Sequence, residues 1–341
     1  MCAAPARSRP GRHHYVPACY LSQFAFPIER HGRLMVFDRR TAAVRPSTPD
    51  NEAFIRDFYT LERTDRGDAY IAEEAFARLE GVFAPAIARV NDTRGLPANI
   101  RPLLAFIVMQ FLRTPSARAW QARGYNAVWM AAIKEDVRHR DRFLSRARKA
   151  HPDMPSEEID EMYEAAREFL RAPGARIEMD QTTMIKDAFE VAPELEDVLA
   201  ERCWLLGLPP DDAAVVTSDD PIVLEWSGRG KPPKSWYPGL GDPDTTVLVA
   251  LGPKHILAGV SEQVSSKRRI CLTRDQVAQF NTSVACRAAR FVYYTGAGFP
   301  FEQHGRVVVG PTQWLKGDEN DHRAGKKRGI IQVEQGRLRP T

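Results

Sequence analysis

A chain of 341 residues, 43% apolar and 27% charged, has an ordinary globular composition, with room for one large core or two smaller ones. A net charge of +4 excludes a bulk electrostatic case for nucleic acid, so any basic surface must be local, as at Arg7, Arg9 and Arg12 or Lys326-Lys327-Arg328. Cys2, Cys19, Cys203, Cys271 and Cys286 are scattered and odd in number, which argues against a disulfide framework and offers no CxxC zinc or redox pair.

Residues 1–12 read as a flexible basic arm without the apolar core of a signal peptide. No apolar run approaches bilayer length, so the expected setting is a reducing cytoplasm, with no membrane partner. From His13 to Phe26 the pattern predicts a short strand or turn, then a helical turn across Tyr20, Leu21 and Phe24. Arg33 to Arg40 reads as a strand that turns at Thr41-Ala42 into a hairpin. Asp50-Asn51 is placed to cap a short helix over Glu52–Arg56, and Phe58 to Leu61 looks like another strand.

Helical periodicity begins after Asp68. Ile71, Ala75, Leu79, Val82, Phe83, Ile87 and Val90 recur at threes and fours and mark an amphipathic helix. The next, from Arg101, is apolar nearly all round and should be buried on most sides; Pro115 should kink or restart it. Residues 116–150 read as an outer, charged helix, followed by helices from Ser156 to about Arg171 and from Met184 to Leu199. Beyond Arg202 come short β-type runs at 204–208, 213–217, 221–226, 245–251 and 256–260, then a helix from Thr273 and a β run at Phe291–Tyr294. Strands at both ends of a helical middle give an α+β class without βαβ alternation. The expected plan is one domain over 13–315, with its helical middle at about 68–200, its β-rich return at about 203–300, and a mostly disordered tail at 316–341.

The chemistry is expected around Arg12-His13-His14-Tyr15-Val16-Pro17, because histidine titrates near neutral pH and is the commonest metal ligand. On a strand the two rings point to opposite faces, so they need not share a site; a structural His pair is the competing reading. Gln110 and Arg113 share a helix face. Arg113 either converges with Arg118 on an anion or pairs with Glu80 or Asp57 and ties two elements together. On the preceding helix Glu80 is expected to turn inward, and Glu73 and Glu74 to be solvated. Asp219, in Ser218-Asp219-Asp220-Pro221, either ligates a metal or orients a histidine, or closes a local turn. Cys19 is a nucleophile candidate, although an isolated buried thiol is the commoner case.

Several pieces, in order, resemble a bacterial family described as domain of unknown function 4238: HHYVPACYLSQF at 13–24, MVFDRR with PDNEAFIRDFYTLE at 49–62, QFLRTPSAR at 110–118 and TSDDPIV at 217–223. The resemblance runs from residue 13 to roughly 295 and implies a bacterial or prophage-borne protein with a defence or nucleic-acid role. HHxxP by itself resembles the first strand of His-Me-finger (HNH-type) nucleases. That resemblance implies a metal ligand and a general base from the pair, with Asn51 as the downstream asparagine. No third histidine follows at helical distance, where Asp57 and Tyr59 stand instead, and this departs from a ββα-metal unit.

These observations give a leading expectation of a hydrolase acting on a phosphate-bearing substrate, nucleic acid included. His14, Arg113 and Gln110 would be catalytic, and Arg118, Asn51 and Tyr20 would bind substrate. A divalent metal on His13, Asp57, Glu80 and Asp219 would form a mixed N/O set suited to Mn²⁺, Zn²⁺ or Fe²⁺. The alternative is a non-catalytic protein that binds an anion or a partner through a structural His/Arg/Asp network. No pattern in the chain indicates its oligomeric state.

Overall fold

The computed structural model describes residues 11–61, 70–227, 238–262, 268–296, 298–310, 332–334 and 337–339. Two compact units are distinguished where one domain is expected over 13–315: residues 1–115 with 185–341, and residues 116–184. Most of the expected arm, and residues 316–331 of the expected tail, lie outside the described residues.

In the first unit β1 (Arg12–His14) leads into α1 (Ala18–Leu21) and a single 3₁₀ turn at Ser22–Phe24. The predicted hairpin follows as β2 (Leu34–Asp38) and β3 (Val44–Ser47), turning where Ala42 adopts a positive φ of 64°. The helix expected over Glu52–Arg56 does not form. A 3₁₀ turn at Pro49–Asn51 gives way to β4 (Phe54–Arg56), antiparallel to β1 with His13 opposite Ile55 and His14 opposite Phe54. Residues 53 and 57 both have positive φ, which no helix continues through, and the aromatic and β-branched pair Phe54-Ile55 suits the pleat. The strand expected at Phe58–Leu61 is a turn, because the Tyr59 N–H goes to a side chain, His13, instead of a neighbouring strand.

The predicted helices stand as α2 (Ile71–Thr93) and α3 (Arg101–Arg113), with every α3 residue from Leu103 to Gln110 buried. Pro115 restarts the chain as α4 (Pro115–Arg138). The second unit continues with α5 (Arg140–Ala150) and α6 (Ser156–Arg171), whose small core is Leu144, Ala147, Ile159 and Tyr163. α7 (Gln181–Ala200) begins in the second unit and ends in the first.

The β-rich return comprises β5 (Cys203–Leu208), β6 (Thr217–Ser218), β7 (Val223–Trp226), β8 (Thr245–Gly252), β9 (His255–Val260) and β10 (Arg269–Cys271). A capping box between Thr273 and Gln276 opens α8 (Arg274–Arg287), and β11 (Phe291–Tyr294) follows. One sheet has the order β10-β5-β9-β8-β7; its strands β8 and β9 are buried at every position, so both faces are covered. The other, β3-β2-β11-β6, joins the N-terminal hairpin to the C-terminal return, with Phe37 opposite Val292. Hairpins β12 (Phe299–Gln303) with β13 (Arg306–Gly310) and β14 (Gln332–Glu334) with β15 (Arg337–Arg339) complete the described elements. With 47% helix and 22% strand among the described residues, segregated along the chain, the class is α+β as expected.

Candidate functional site

β1 alternates outward, inward, outward, and this pleat decides what each histidine does. His13 is 1% exposed, and its Nδ1 accepts the Tyr59 backbone N–H at 2.8 Å. An accepting nitrogen carries the lone pair, so the neutral ring holds its proton on Nε2. That nitrogen lies 3.1 Å from a Glu73 carboxylate oxygen, at ion-pair separation but without hydrogen-bond alignment. The ring also stacks parallel to Tyr59, centroids 5.8 Å apart.

His14 is half-buried and packs edge-on against its cross-strand partner Phe54. Its Nε2 is 3.3 Å from the Asp50 carbonyl oxygen. A carbonyl only accepts, so Nε2 donates and Nδ1 keeps the lone pair. Burial pushes the His14 pKa below 6.5 against the opposing pull of the Asp50 carbonyl, which leaves a neutral imidazole at pH 7.

Arg113 comes from the last turn of α3 and is buried. Its Nε donates to the Tyr15 carbonyl at 3.0 Å and its Nη2 to the His14 carbonyl at 2.5 Å. The same Nη2 is 3.1 Å from Glu80 Oε1, and the guanidinium lies over the Phe76 ring. In return Tyr59 Oη donates to the Arg113 carbonyl at 3.0 Å. Arg113 therefore ties α3 and α2 to the backbone of the histidine strand; Nη1 is buried with no protein partner. The other Glu80 oxygen is 3.9 Å from Cys19 Sγ, and burial pushes that thiol up to about 12. A pKa raised that far leaves Cys19 as a thiol at neutral pH, the state of an ordinary buried cysteine.

Both histidines line a cleft of about 420 Å³ whose other charged walls are Arg12, Arg30, Asp50, Glu73, Glu80 and Arg113. Arg30 reaches Asp50 Oδ1 at 2.7 Å, and Arg12 lies over Phe54 while contacting Asn51 Oδ1 at 3.4 Å. With Arg113 set against Glu80, Arg30 against Asp50 and Glu73 facing His13, the exposed Arg12 is the cleft cation without an acidic partner in the wall.

Of the residues singled out from the sequence, the fold brings His13, His14, Glu80 and Arg113 to this cleft. Asn51 does not line the cleft: its Oδ1 accepts from Arg12 Nη1 at 3.4 Å and its amide donates to Thr48 Oγ1. Tyr20 is in the core instead: it is fully buried, its hydroxyl bonds Thr217 Oγ1 at 2.6 Å and the Ala250 carbonyl at 2.8 Å, and it does not line the cleft. Gln110 is 0% exposed, absent from the cleft wall, and neither amide atom has a protein partner. Arg118 belongs to the second unit, where it donates to Gln181 Oε1.

The expected metal set does not assemble. Asp219 is committed elsewhere: its carboxylate accepts the backbone N–H groups of Ala289, Arg290 and Phe291 at 2.8–2.9 Å and pins β6 to the chain leaving α8. Burial nonetheless pushes its pKa up to about 6. Asp57 is an exposed turn residue whose N–H bonds the Gly11 carbonyl, and it does not line the cleft. His13 as placed offers a metal no lone pair, since Nδ1 is spent on Tyr59 and Nε2 carries the proton. Among the described residues no group of three or more His, Cys, Asp or Glu is placed to hold a metal ion.

Glu73, Asp50 and Arg30 are cleft residues that the sequence reading assigned no role in the site, while Arg12, expected only as local basic surface at the start of the histidine stretch, also lines it. For Glu73 a signal was present: residues 73, 76, 77 and 80 fall at i, i+3, i+4 and i+7, one stripe of α2, and all four line the cleft. No local signal places Asp50 and Arg30, because the contact between them closes a loop spanning the β2–β3 hairpin.

The geometry defines an α+β protein with a mixed-charge histidine cleft on its first strand. A family model described as "Protein of unknown function (DUF4238)" matches residues 12–297, and the chain belongs to that family. Searches of curated proteins and of solved structures give no match. Among the described residues no helix is long and apolar enough to cross a membrane.

Proposed function

We propose that this protein is a hydrolase of phosphate-bearing substrates, with His14 as the general base. The observation that carries the reading is the state of His14: a neutral imidazole on the cleft wall, Nε2–H committed to the Asp50 carbonyl, and a lone pair left on Nδ1. Water held by Nδ1 would lose a proton to the ring as its oxygen bonds phosphorus and the ester P–O bond breaks. The imidazolium would then pass that proton to the departing oxygen or to solvent and return to neutral. The Asp50 carbonyl and the nearby Glu80 and Asp50 charges favour the imidazolium that forms. Arg12 meets the phosphate, while Arg113 acts one layer back by fixing the backbone of His14 and Tyr15.

The test is turnover of bis(p-nitrophenyl) phosphate, p-nitrophenyl phosphate and single- and double-stranded oligonucleotides, with Mg²⁺, Mn²⁺ or Zn²⁺ and with EDTA. His14→Gln is expected to lower kcat by about 10²–10⁴. The acidic limb of kcat/KM is expected below pH 6.5, because burial lowers the pKa of the free base. Equal turnover by wild type and His14→Gln would remove the assignment. A second reading, non-catalytic anion binding, is favoured by Arg12, which faces the cleft without an acid of the wall beside it, and by the engagement of Arg113 with the backbone, which gives that residue a structural role. Salt-sensitive oligonucleotide binding without turnover of any substrate would select it.

A further inference from the structure

α4 runs for 24 residues without one buried side chain, whereas a helix of a globular protein ordinarily hides a stripe. Its exposed side chains include Trp120, Tyr125, Val128 at 68% and Trp129 at 51%. At 3.6 residues per turn, Tyr125, Val128, Trp129 and Ala132 fall within an arc of about 100° and form one apolar ridge. The half-buried positions Ala122, Asn126, Met130 and Ile133 lie on another face, where Asn126 Oδ1 accepts the Ile177 N–H at 2.9 Å. Val128, Trp129 and Ala132 are therefore apolar positions of the ridge that stay exposed to solvent.

Charge along the ridge is polar in direction. Arg118 stands at its N-terminal end, and Glu135 with Asp136 at its C-terminal end. We propose that two copies of the chain pair through this ridge, antiparallel about a two-fold axis between Asn126 and Ala127. In that register Arg118 faces Glu135 and Asp136 of the other copy, Tyr125 faces Val128 and Trp129, and Ala132 faces Gln121. A parallel pair would set Arg118 on Arg118 and Asp136 on Asp136. Within the chain Arg118 already reaches Gln181 at 3.3 Å, Asp136 reaches Arg146 at 2.5 Å and Glu135 reaches Arg138 at 3.0 Å. The cross-pairs therefore set orientation, and the apolar ridge supplies affinity. From Arg118 to Asp136 the contact spans roughly 27 Å at 1.5 Å per residue, but its apolar part, Tyr125 to Ala132, covers only about 10 Å, which fits a micromolar dimer better than a permanent one.

Sedimentation of the full chain from about 1 to 200 µM, a range that brackets micromolar association, tests this. A wild type that stays monomeric throughout overturns the proposal. Val128→Glu with Trp129→Glu alters two exposed positions and is expected to weaken association at least tenfold; unchanged association also overturns it. Arg118→Glu alone, and Glu135→Arg with Asp136→Arg alone, each bring like charges together and should dissociate. Mixed one to one, these two chains regain both opposite-charge contacts and should form a heterodimer. Failure of the mixture to associate refutes the antiparallel register.

Discussion

Replacing Arg113 with methionine keeps much of the apolar stem and removes the guanidinium. Two charge-assisted bonds to the His14 and Tyr15 carbonyls disappear, each worth about 1.5–3 kcal/mol. The Glu80 pair adds little, because that carboxylate is partly exposed and solvent screens it. Both carbonyls and Glu80 are left with less than they had, so the expected loss is about 3–5 kcal/mol, a large share of the 5–15 kcal/mol that holds a typical domain folded. Arg113→Lys keeps the charge but not the fork and should lose about 2 kcal/mol, since one ammonium cannot replace the Nε and Nη2 geometry. Glu80→Gln should lose about 1 kcal/mol or less. Urea titrations followed by far-UV circular dichroism give the three values from midpoints at constant slope. A loss below about 1 kcal/mol for Arg113→Met would show that the guanidinium does not hold the histidine strand, and the reasoning about the cleft would fall with it.

Gln110→Met is expected to leave stability unchanged or raise it by about 1 kcal/mol, because a buried amide without a protein partner costs more than a thioether of similar size; a loss above 1 kcal/mol in the same titration would contradict this. His255 donates from Nδ1 to Asn91 at 2.6 Å, and burial lowers its pKa from 6.5 to about 4. Its neutral form is the folded one, so this contribution is whole above pH 6.5 and is lost as pH falls towards 4, by roughly 3 kcal/mol at about 1.4 kcal/mol per pH unit. Asp219 has the opposite sign: with its pKa raised from 3.8 to about 6, folding gains as pH falls from about 6 to 3.8. Relative to wild type, His255→Gln should therefore gain stability on acidification, and Asp219→Asn should lose it more steeply; parallel pH profiles for all three proteins would refute both assignments. Iodoacetamide at pH 8 should label the exposed Cys271 and Cys286 well before Cys19, whose thiol is pushed up to about 12; peptide mass spectrometry reads the order.

Elements whose cause is local were legible in the chain. The threes and fours of α2, the all-round apolarity of α3, the proline that restarts α4 and the Thr273 cap of α8 act within a few residues. Regions shaped by distant partners were not. Phe54–Arg56 is a strand because β1 lies beside it, and residues 58–61 turn because the Tyr59 N–H goes to His13 across 46 residues of chain. The candidate site divides the same way: the His pair, Glu80 and Arg113 announced themselves by residue type and spacing, while Glu73, charged and near the start of a helix, read as solvated until α2 was packed against β1.

By itself the sequence determined the α+β class, the helical register and the short list of side chains able to do chemistry, since propensity and periodicity are properties of neighbouring residues. The tertiary structure alone decided which nitrogen of each histidine keeps a lone pair, that Asp219 serves three backbone N–H groups, and that Tyr20 and Gln110 lie inside the core. Those outcomes depend on burial and on donors brought from far along the chain, and neither exists before the chain has folded.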